Sequence, residues 1–249
     1  MALFNVSNNG RTGELVIYDL IGDTFLGSGV SARLVNYLLS EVPDMEELTV
    51  RINSIGGSVQ DGTAIYNLLQ RHKAKVIVEI EGAALSAASV VAMAGDEIRM
   101  LANAMMMMHG AWGMTEGNAV AHERAAKALA KMTEASAEVY AARTETPKEE
   151  VVQMLEEETW FTAEEALKKG FCTSILPAKS PPAAQQAYRD ADKVMKLYKH
   201  PPQQLYQMLG SYVGTRRPGA PQPAPVMAGG KRQGLARLAA ERRRTLGDV

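Results

Sequence analysis

Short apolar, β-branched runs alternate along the first half of the chain with stretches of helical spacing. Glu14-Leu-Val-Ile-Tyr-Asp19, Leu48-Thr-Val-Arg-Ile-Asn53 and Lys75-Val-Ile-Val-Glu-Ile80 read as strands. Between the first two, Val30, Leu34, Val35 and Leu38 share one side of a helix over residues 30–40, and a second helical pattern runs from Val59 to His72. After the third strand, Ser86-Ala-Ala-Ser-Val-Val-Ala-Met-Ala-Gly95 is made of small apolar residues and predicts a tightly packed helix. Glu97 to Met100 and Ala104 to His109 predict two more short strands. Strands alternating with helices predict an α/β fold built from βαβ units around a largely parallel sheet.

The pattern then changes. Ala119 to Ala142 is one long Ala/Glu/Lys helix of high intrinsic propensity. Pro147-Lys-Glu-Glu150 opens another, with proline at a tolerated first-turn position. Thr162-Ala-Glu-Glu165 predicts an N-cap and a short helix ending at Gly170, followed by a last strand over 171–175. Beyond Leu176, Pro181-Pro182, Pro201-Pro202 and the stretch from Pro218 to Pro225 interrupt any long element. Short helices are expected at 187–198 and 234–244. Residues 1–179 are thus expected to form one domain, and residues 180–249 a largely flexible extension with little core of its own.

Charge sharpens that division. The net charge of the 249 residues is −1. From Ser180 onward twelve Lys/Arg face four Asp/Glu, a net of +8, which leaves the first 179 residues at −9. The body is acidic and the extension basic. A single cysteine, Cys172, excludes an intrachain disulfide and a zinc knuckle, and suits a reducing compartment. No secretory leader is expected from Met1 to Gly10, and the longest near-apolar run, Ala83 to Gly95, is too short to cross a bilayer. There is no Gly-x-x-x-x-Gly-Lys-Ser/Thr loop, so ATP hydrolysis by this chain is not expected.

Ser86 sits where a strand gives way to a helix, next to free backbone N–H groups and the positive end of the helix dipole. That is a favourable place to develop an oxyanion, and it makes Ser86 a candidate nucleophile. The same run also suits a serine chosen only for close packing, and Ser89, one turn on, is a rival. Among the histidines, His109 ends the tetra-methionine strand. His72 lies at a helix end, His122 in a charged helix and His200 in the extension. His109 is therefore the candidate base, able to take the serine proton and return it to a leaving amine. Gly56-Gly57 follows a strand end; it fits a plain turn, or a backbone N–H brought close to a substrate carbonyl with no Cβ in the way. Gly57 N–H with Ala87 N–H would make a two-donor oxyanion hole, each donor worth about 3 kcal/mol in the transition state.

Asn53-Ser-Ile-Gly-Gly57, Gly82-Ala-Ala-Leu-Ser86-Ala-Ala, Met107-Met-His109 and Phe161-Thr-Ala-Glu-Glu-Ala166 with Gly170 occur in an order and spacing that resemble the Clp protease proteolytic subunit (ClpP) family, over roughly 14–175. The resemblance implies a ClpP/crotonase-like fold of repeated ββα units, with the helical stretch 119–157 as a protruding handle. It implies a serine peptidase in which Ser86 is the nucleophile, His109 the base, and Gly57 and Ala87 the oxyanion donors. The family's third triad position falls on Glu158, where a glutamate replaces the usual aspartate; Glu157 is the nearest substitute. No cofactor is implied. A homo-oligomeric ring acting on protein or peptide substrates is implied, and whether an ATPase unfoldase docks stays open.

Ile55 replaces the family's usual proline, and Gly110-Ala-Trp112 replaces the common Gln-Pro after the histidine. These departures, with Glu158-Thr-Trp-Phe-Thr-Ala163 and the basic Pro-rich extension, resemble the phage and prophage branch, whose members are taken to process scaffold or capsid proteins during head maturation. On that reading the chain acts in the host cytoplasm or procapsid. The alternatives are a crotonase-type acyl-CoA enzyme, a ring-forming scaffold subunit with a degenerate triad, and nucleic-acid binding through the basic extension.

Overall fold

A computed structural model of the chain describes residues 3–7, 11–24, 27–177, 198 and 201. The chain divides into two units, Met1–Tyr212 and Val213–Val249; the second lies wholly outside the described residues. So do the helices expected at 187–198 and 234–244, apart from Tyr198, and with them the expected character of the extension.

Among the described residues, ten strands and six helices follow one another as β1 (Phe4–Ser7), β2 (Thr12–Ile17), β3 (Asp23–Thr24), β4 (Gly27–Ser28), α1 (Ala32–Ser40), β5 (Glu47–Ser54), α2 (Val59–Gln70), β6 (Lys75–Leu85), α3 (Ala87–Ala92), β7 (Glu97–Leu101), β8 (Met105–Met108), α4 (Ala119–Thr144), α5 (Lys148–Glu157), β9 (Thr159–Thr162), α6 (Ala163–Lys168) and β10 (Ser174–Leu176). The main sheet runs β1-β2-β5-β6-β7-β10, and β8 joins β6 to β9. Within it, pairing is parallel from β2 through β10 and between β6 and β8, and antiparallel for β1 on β2 and β9 on β8; β3 and β4 form a separate antiparallel pair.

The centre of the sheet explains its two faces. In β5, Leu48, Val50 and Ile52 are fully buried while Thr49 and Arg51 are half-buried, so the strand alternates. The apolar face packs against Val35 and Leu39 of α1 and Ile65 and Leu69 of α2. Each such aliphatic side chain contributes about 1.5–3 kcal/mol when fully buried. The other face is polar. There Arg51 holds Glu81 with two hydrogen bonds, 2.8 and 2.9 Å, and Glu14 with a third at 3.0 Å.

The small-residue helix is α3, and all six of its residues are buried. Its composition is what allows that. A Cβ at Gly62 of α2 would lie 3.0 Å from the Ala87 Cβ, so α2 and α3 approach as closely as their side chains permit. The helix is shorter than the 86–95 expected, because the residues after Ala92 close in tight turns, Met93 N–H to Val90 C=O and Ala94 N–H to Val91 C=O.

Strand β6 runs five residues past the expected end at Ile80. Its first part pairs with β7 over 77–80, its last part with β8 over 83–85. Opposite the change of partner, the register with β5 shifts between Ile52 and Ser54. Glu81-Gly-Ala-Ala lacks β-branched residues, so its extended form comes from pairing rather than propensity.

Helix α4 spans 26 residues, about 39 Å at 1.5 Å per residue, and buries only Ala137 and Tyr140. It therefore stands largely clear of the core, as the handle reading expects. Asn118 caps its start, and Thr162 with Glu165 forms a capping box at α6. Strands β1, β3, β4 and β9 were not legible in the apolar pattern. The last strand starts at Ser174 rather than 171, because Phe171 and Cys172 turn into the core.

Candidate active site

Ser86 is the residue between β6 and α3. It adopts φ 54° and ψ −126°, a conformation that costs a non-glycine residue about 1–3 kcal/mol. Its backbone is pinned on both sides. Its N–H donates to Met107 C=O at 2.9 Å, and its C=O accepts from Ser89 N–H at 2.9 Å and from the Ser89 hydroxyl at 2.6 Å. The sharp turn leaves the Ser86 side chain free of any capping bond to α3.

His109 follows β8 directly. The parallel register Leu85↔Met107 carries both chains into the same region, and His109 Nε2 lies 2.8 Å from Ser86 Oγ. The two residues are 23 positions apart in sequence. Beyond His109 the backbone is tied down: Gly110 N–H donates to Leu155 C=O at 2.8 Å and Ala111 N–H to Thr133 Oγ1 at 2.9 Å. The histidine thus emerges from a strand end clamped between α4 and α5.

The rival serine has a different environment. Ser89 is fully buried, and its hydroxyl lies within hydrogen-bonding distance of Ser86 C=O, Met107 C=O at 2.9 Å and the Tyr140 phenol at 2.7 Å. It has no path to a substrate. The one thiol, Cys172, is buried too, and burial pushes it up to about 11, which keeps it protonated and unreactive.

Gly56 lies against Ser86, and neither it nor Gly57 has room for a side chain. A Cβ at Gly56, whose φ is +89°, would come within 2.5 Å of Leu85 C=O and 2.9 Å of both Ala87 N and Ser86 Cβ. At Gly57, φ +147°, it would lie 2.3 Å from Ile21 C=O. The flanking amides are occupied: Gly56 N–H donates to Ser54 Oγ at 3.1 Å and Ser58 N–H to Ile21 C=O at 2.8 Å. Gly57 N–H, between them, and Ala87 N–H, the first of α3, donate to no acceptor among the described residues.

The rest of the Asn53-Ser54 motif braces this turn. Asn53 is buried and its Oδ1 accepts from Ala83 N–H at 3.1 Å, while Ser54 Oγ donates to Asp19 C=O at 2.6 Å.

Glu158 ends α5 in the left-handed conformation, φ 59° and ψ 82°, and is 5% exposed. Its Oε1 accepts the Trp160 indole N–H at 3.2 Å. The antiparallel register ends at Met108↔Thr159, so His109 and Glu158 directly flank its last pair in sequence. Glu157 stands elsewhere: it is exposed and bonded to Gln153 at 3.0 Å.

Sequence reasoning missed three side chains here: Tyr140, Trp160 and Tyr198. The Tyr198 ring meets the rings of His109 and Trp160 edge-on, with centroids 6.2 and 5.3 Å apart, and its hydroxyl donates to Ile55 C=O at 3.1 Å. Trp160 had a signal, as the neighbour of the acidic run. Tyr198 had none, because it lies in the Pro-rich extension.

Comparison with known proteins points one way. The family model described as Clp protease matches residues 13–179. The chain is similar to an ATP-dependent Clp protease proteolytic subunit of Deinococcus radiodurans, 30% identical over 161 residues, which covers 61% of this chain and 78% of that one. It is also similar to the solved structure of a ClpP1 mutant from Listeria monocytogenes, with a TM-score of 0.58 and 24% identity over 69% of this chain and 94% of that one. At that identity the likeness is one of fold. It agrees with the α/β, ClpP/crotonase-like arrangement expected from the motifs.

Proposed function

The chain belongs to the Clp protease family, and on that premise we propose that it is a serine endopeptidase with Ser86 as nucleophile and His109 as general base. The observation that carries this reading is the 2.8 Å approach of His109 Nε2 to Ser86 Oγ at a strained strand-to-helix turn. Neutral His109 accepts the hydroxyl proton at Nε2, so Nδ1 carries the ring's own proton. Ser86 Oγ attacks the scissile carbonyl as that proton leaves, and the tetrahedral oxyanion forms beside Gly57 N–H and Ala87 N–H. Two preorganised donors that need not move during the reaction stabilise it, each by about 3 kcal/mol. Imidazolium then protonates the leaving amine. Water, deprotonated by the same histidine, releases the acyl-enzyme.

Glu158 completes the set as the residue that orients His109 and offsets the imidazolium charge. Its support is its place flanking the last pair of β8 and β9 and its burial, and the Trp160 indole fixes one carboxylate oxygen. A crotonase-type acyl-CoA reading needs no serine–histidine pair and leaves the 2.8 Å contact without a purpose.

The finer proposal is processing of scaffold or capsid proteins in phage head maturation, by a homo-oligomeric ring. Its support is in the sequence: Ile55, Gly110-Ala-Trp112 and the basic Pro-rich extension. Among the described residues, no helix is long and apolar enough to cross a membrane.

The test is fluorophosphonate labelling and peptide cleavage by the full-length chain and by Ser86→Ala. Both activities should vanish in the variant and survive in Ser89→Ala. Labelling that persists in Ser86→Ala overturns the assignment.

A further inference from the structure

Beside the Ser86–His109 pair, three groups frame a position that an aromatic ring occupies: the ring of Trp160, the ring of His109 and the carbonyl of Ile55. Tyr198 fills it. Both ring–ring contacts are edge-on, with interplanar angles of 63° to His109 and 84° to Trp160, the geometry in which the positive edge of one ring meets the negative face of another. The phenol donates to Ile55 C=O at 3.1 Å, one residue before the Gly56-Gly57 turn. Tyr198 is 8% exposed, although it comes from the chain beyond the catalytic elements and lies 143 residues from its hydrogen-bond partner.

We propose that this position is a substrate side-chain subsite for tyrosine, and that Tyr198 occupies it in cis as a tethered competitor of peptide substrates. The subsite rests on the peptidase reading above for its purpose, but not for its chemistry. It offers what a tyrosine requires: two aromatic surfaces for the ring and an acceptor for the hydroxyl. A leucine would meet the rings but leave the Ile55 carbonyl unpaired, and an alanine would reach neither. Its place beside His109 sets an occupying side chain next to the scissile bond. A tyrosine held covalently near the site has a high effective concentration, so a substrate must displace it before its carbonyl reaches Ser86. Tyr198 therefore both reports the preference of the site and restrains it.

The experiment uses full-length protein and three forms: wild type, Tyr198→Phe and Tyr198→Ala. The rate of Ser86 labelling by a fluorophosphonate should rise about tenfold in Tyr198→Ala. In Tyr198→Phe, which keeps the ring and loses one neutral hydrogen bond, it should rise a few-fold. N-acetyl-L-tyrosinamide should slow labelling of Tyr198→Ala back toward the wild-type rate, and N-acetyl-L-alaninamide should not. If Tyr198 is only a piece of wall, Tyr198→Ala labels no faster than wild type and tyrosinamide does not protect; that result overturns the proposal. If no form labels at all, the peptidase reading fails, and the subsite is judged on Trp160 emission in a Trp112→Phe background. A saturable change with tyrosinamide, tighter in Tyr198→Ala and Tyr198→Phe than in the Trp112→Phe parent, supports the subsite. Equal affinity in all three, or no saturable change, overturns it.

Discussion

The Ser89 hydroxyl and the Tyr140 phenol lie 2.7 Å apart, both buried, and join the long helix α4 to the turn that carries Ser86. Ser89 also donates to the Ser86 carbonyl, so helix α4 and the Ser86 backbone are linked through two side chains. Tyr140→Phe should lower stability by about 0.5–1.5 kcal/mol, the net worth of one internal hydrogen bond. Burial holds the Tyr140 phenol well above its ordinary range. Below about pH 10 both folded and unfolded forms keep the proton; above it only the unfolded form releases it, so the wild type loses stability as pH rises. Urea unfolding at pH 8 and 10.5 should show the gap between wild type and Tyr140→Phe narrowing at the higher pH.

Gly57→Ala should be destabilising by about 2 kcal/mol or more, since its Cβ meets a backbone carbonyl at 2.3 Å in a backbone region L-residues avoid. Labelling should be lost as well. Gly170→Ala provides the control. Its φ is +79°, but a Cβ there finds nothing nearer than 3.5 Å, so it should cost about 1–2 kcal/mol and leave labelling intact. Thermal unfolding and probe labelling, measured together, separate the two.

Glu158→Gln keeps the shape of the side chain and removes its charge. If Glu158 orients His109, kcat/KM for peptide cleavage should fall on the order of a hundredfold or more. Glu157→Gln, altering an exposed side chain bonded to Gln153, should leave kcat/KM unchanged. Equal activity of the two variants would move the third role to another group.

Acid stability should depend on Glu97. Hydrogen bonds from Lys75 and Arg99 pull its carboxyl from 4.5 down to about 2. A carboxylate depressed in the folded state stabilises the fold at pH above its unfolded value and loses that contribution as pH falls toward the folded one. The stability difference between wild type and Glu97→Gln should be full at pH 6, shrink between 4.5 and 2, and vanish below. The pair is exposed, so high salt should reduce the difference throughout.

Helices and parallel strands were legible wherever a segment carried its own period. Helix α2 matches its pattern to within two residues, and β5 alternates as its sequence does. Elements defined by a partner were not legible. The far half of β6 is extended because β8 and β5 pair with it, and its Gly-Ala-Ala sequence has no strand preference. Strand β9 is four residues lying against the methionine strand, and Trp160 inside it reads equally well as a loop anchor. Glycines, alanines and motif order singled out Ser86 and His109, and the fold brings the two side chains within 2.8 Å. Glu158 is buried and Glu157 exposed because of where α5 ends and β9 begins, and spacing alone does not give that boundary. Tyr198 needed the folded chain altogether.

The change of partner along β6 has a cost in tolerance to change. Ser86 and His109 hang from adjacent strands tied at Leu85↔Met107. Each step of slippage would move one past the other by about 3.3 Å and turn its side chain to the opposite face. Deleting one of the four consecutive methionines would leave a sheet equally rich in apolar side chains, with an imidazole that no longer finds its hydroxyl. That strand must keep its count.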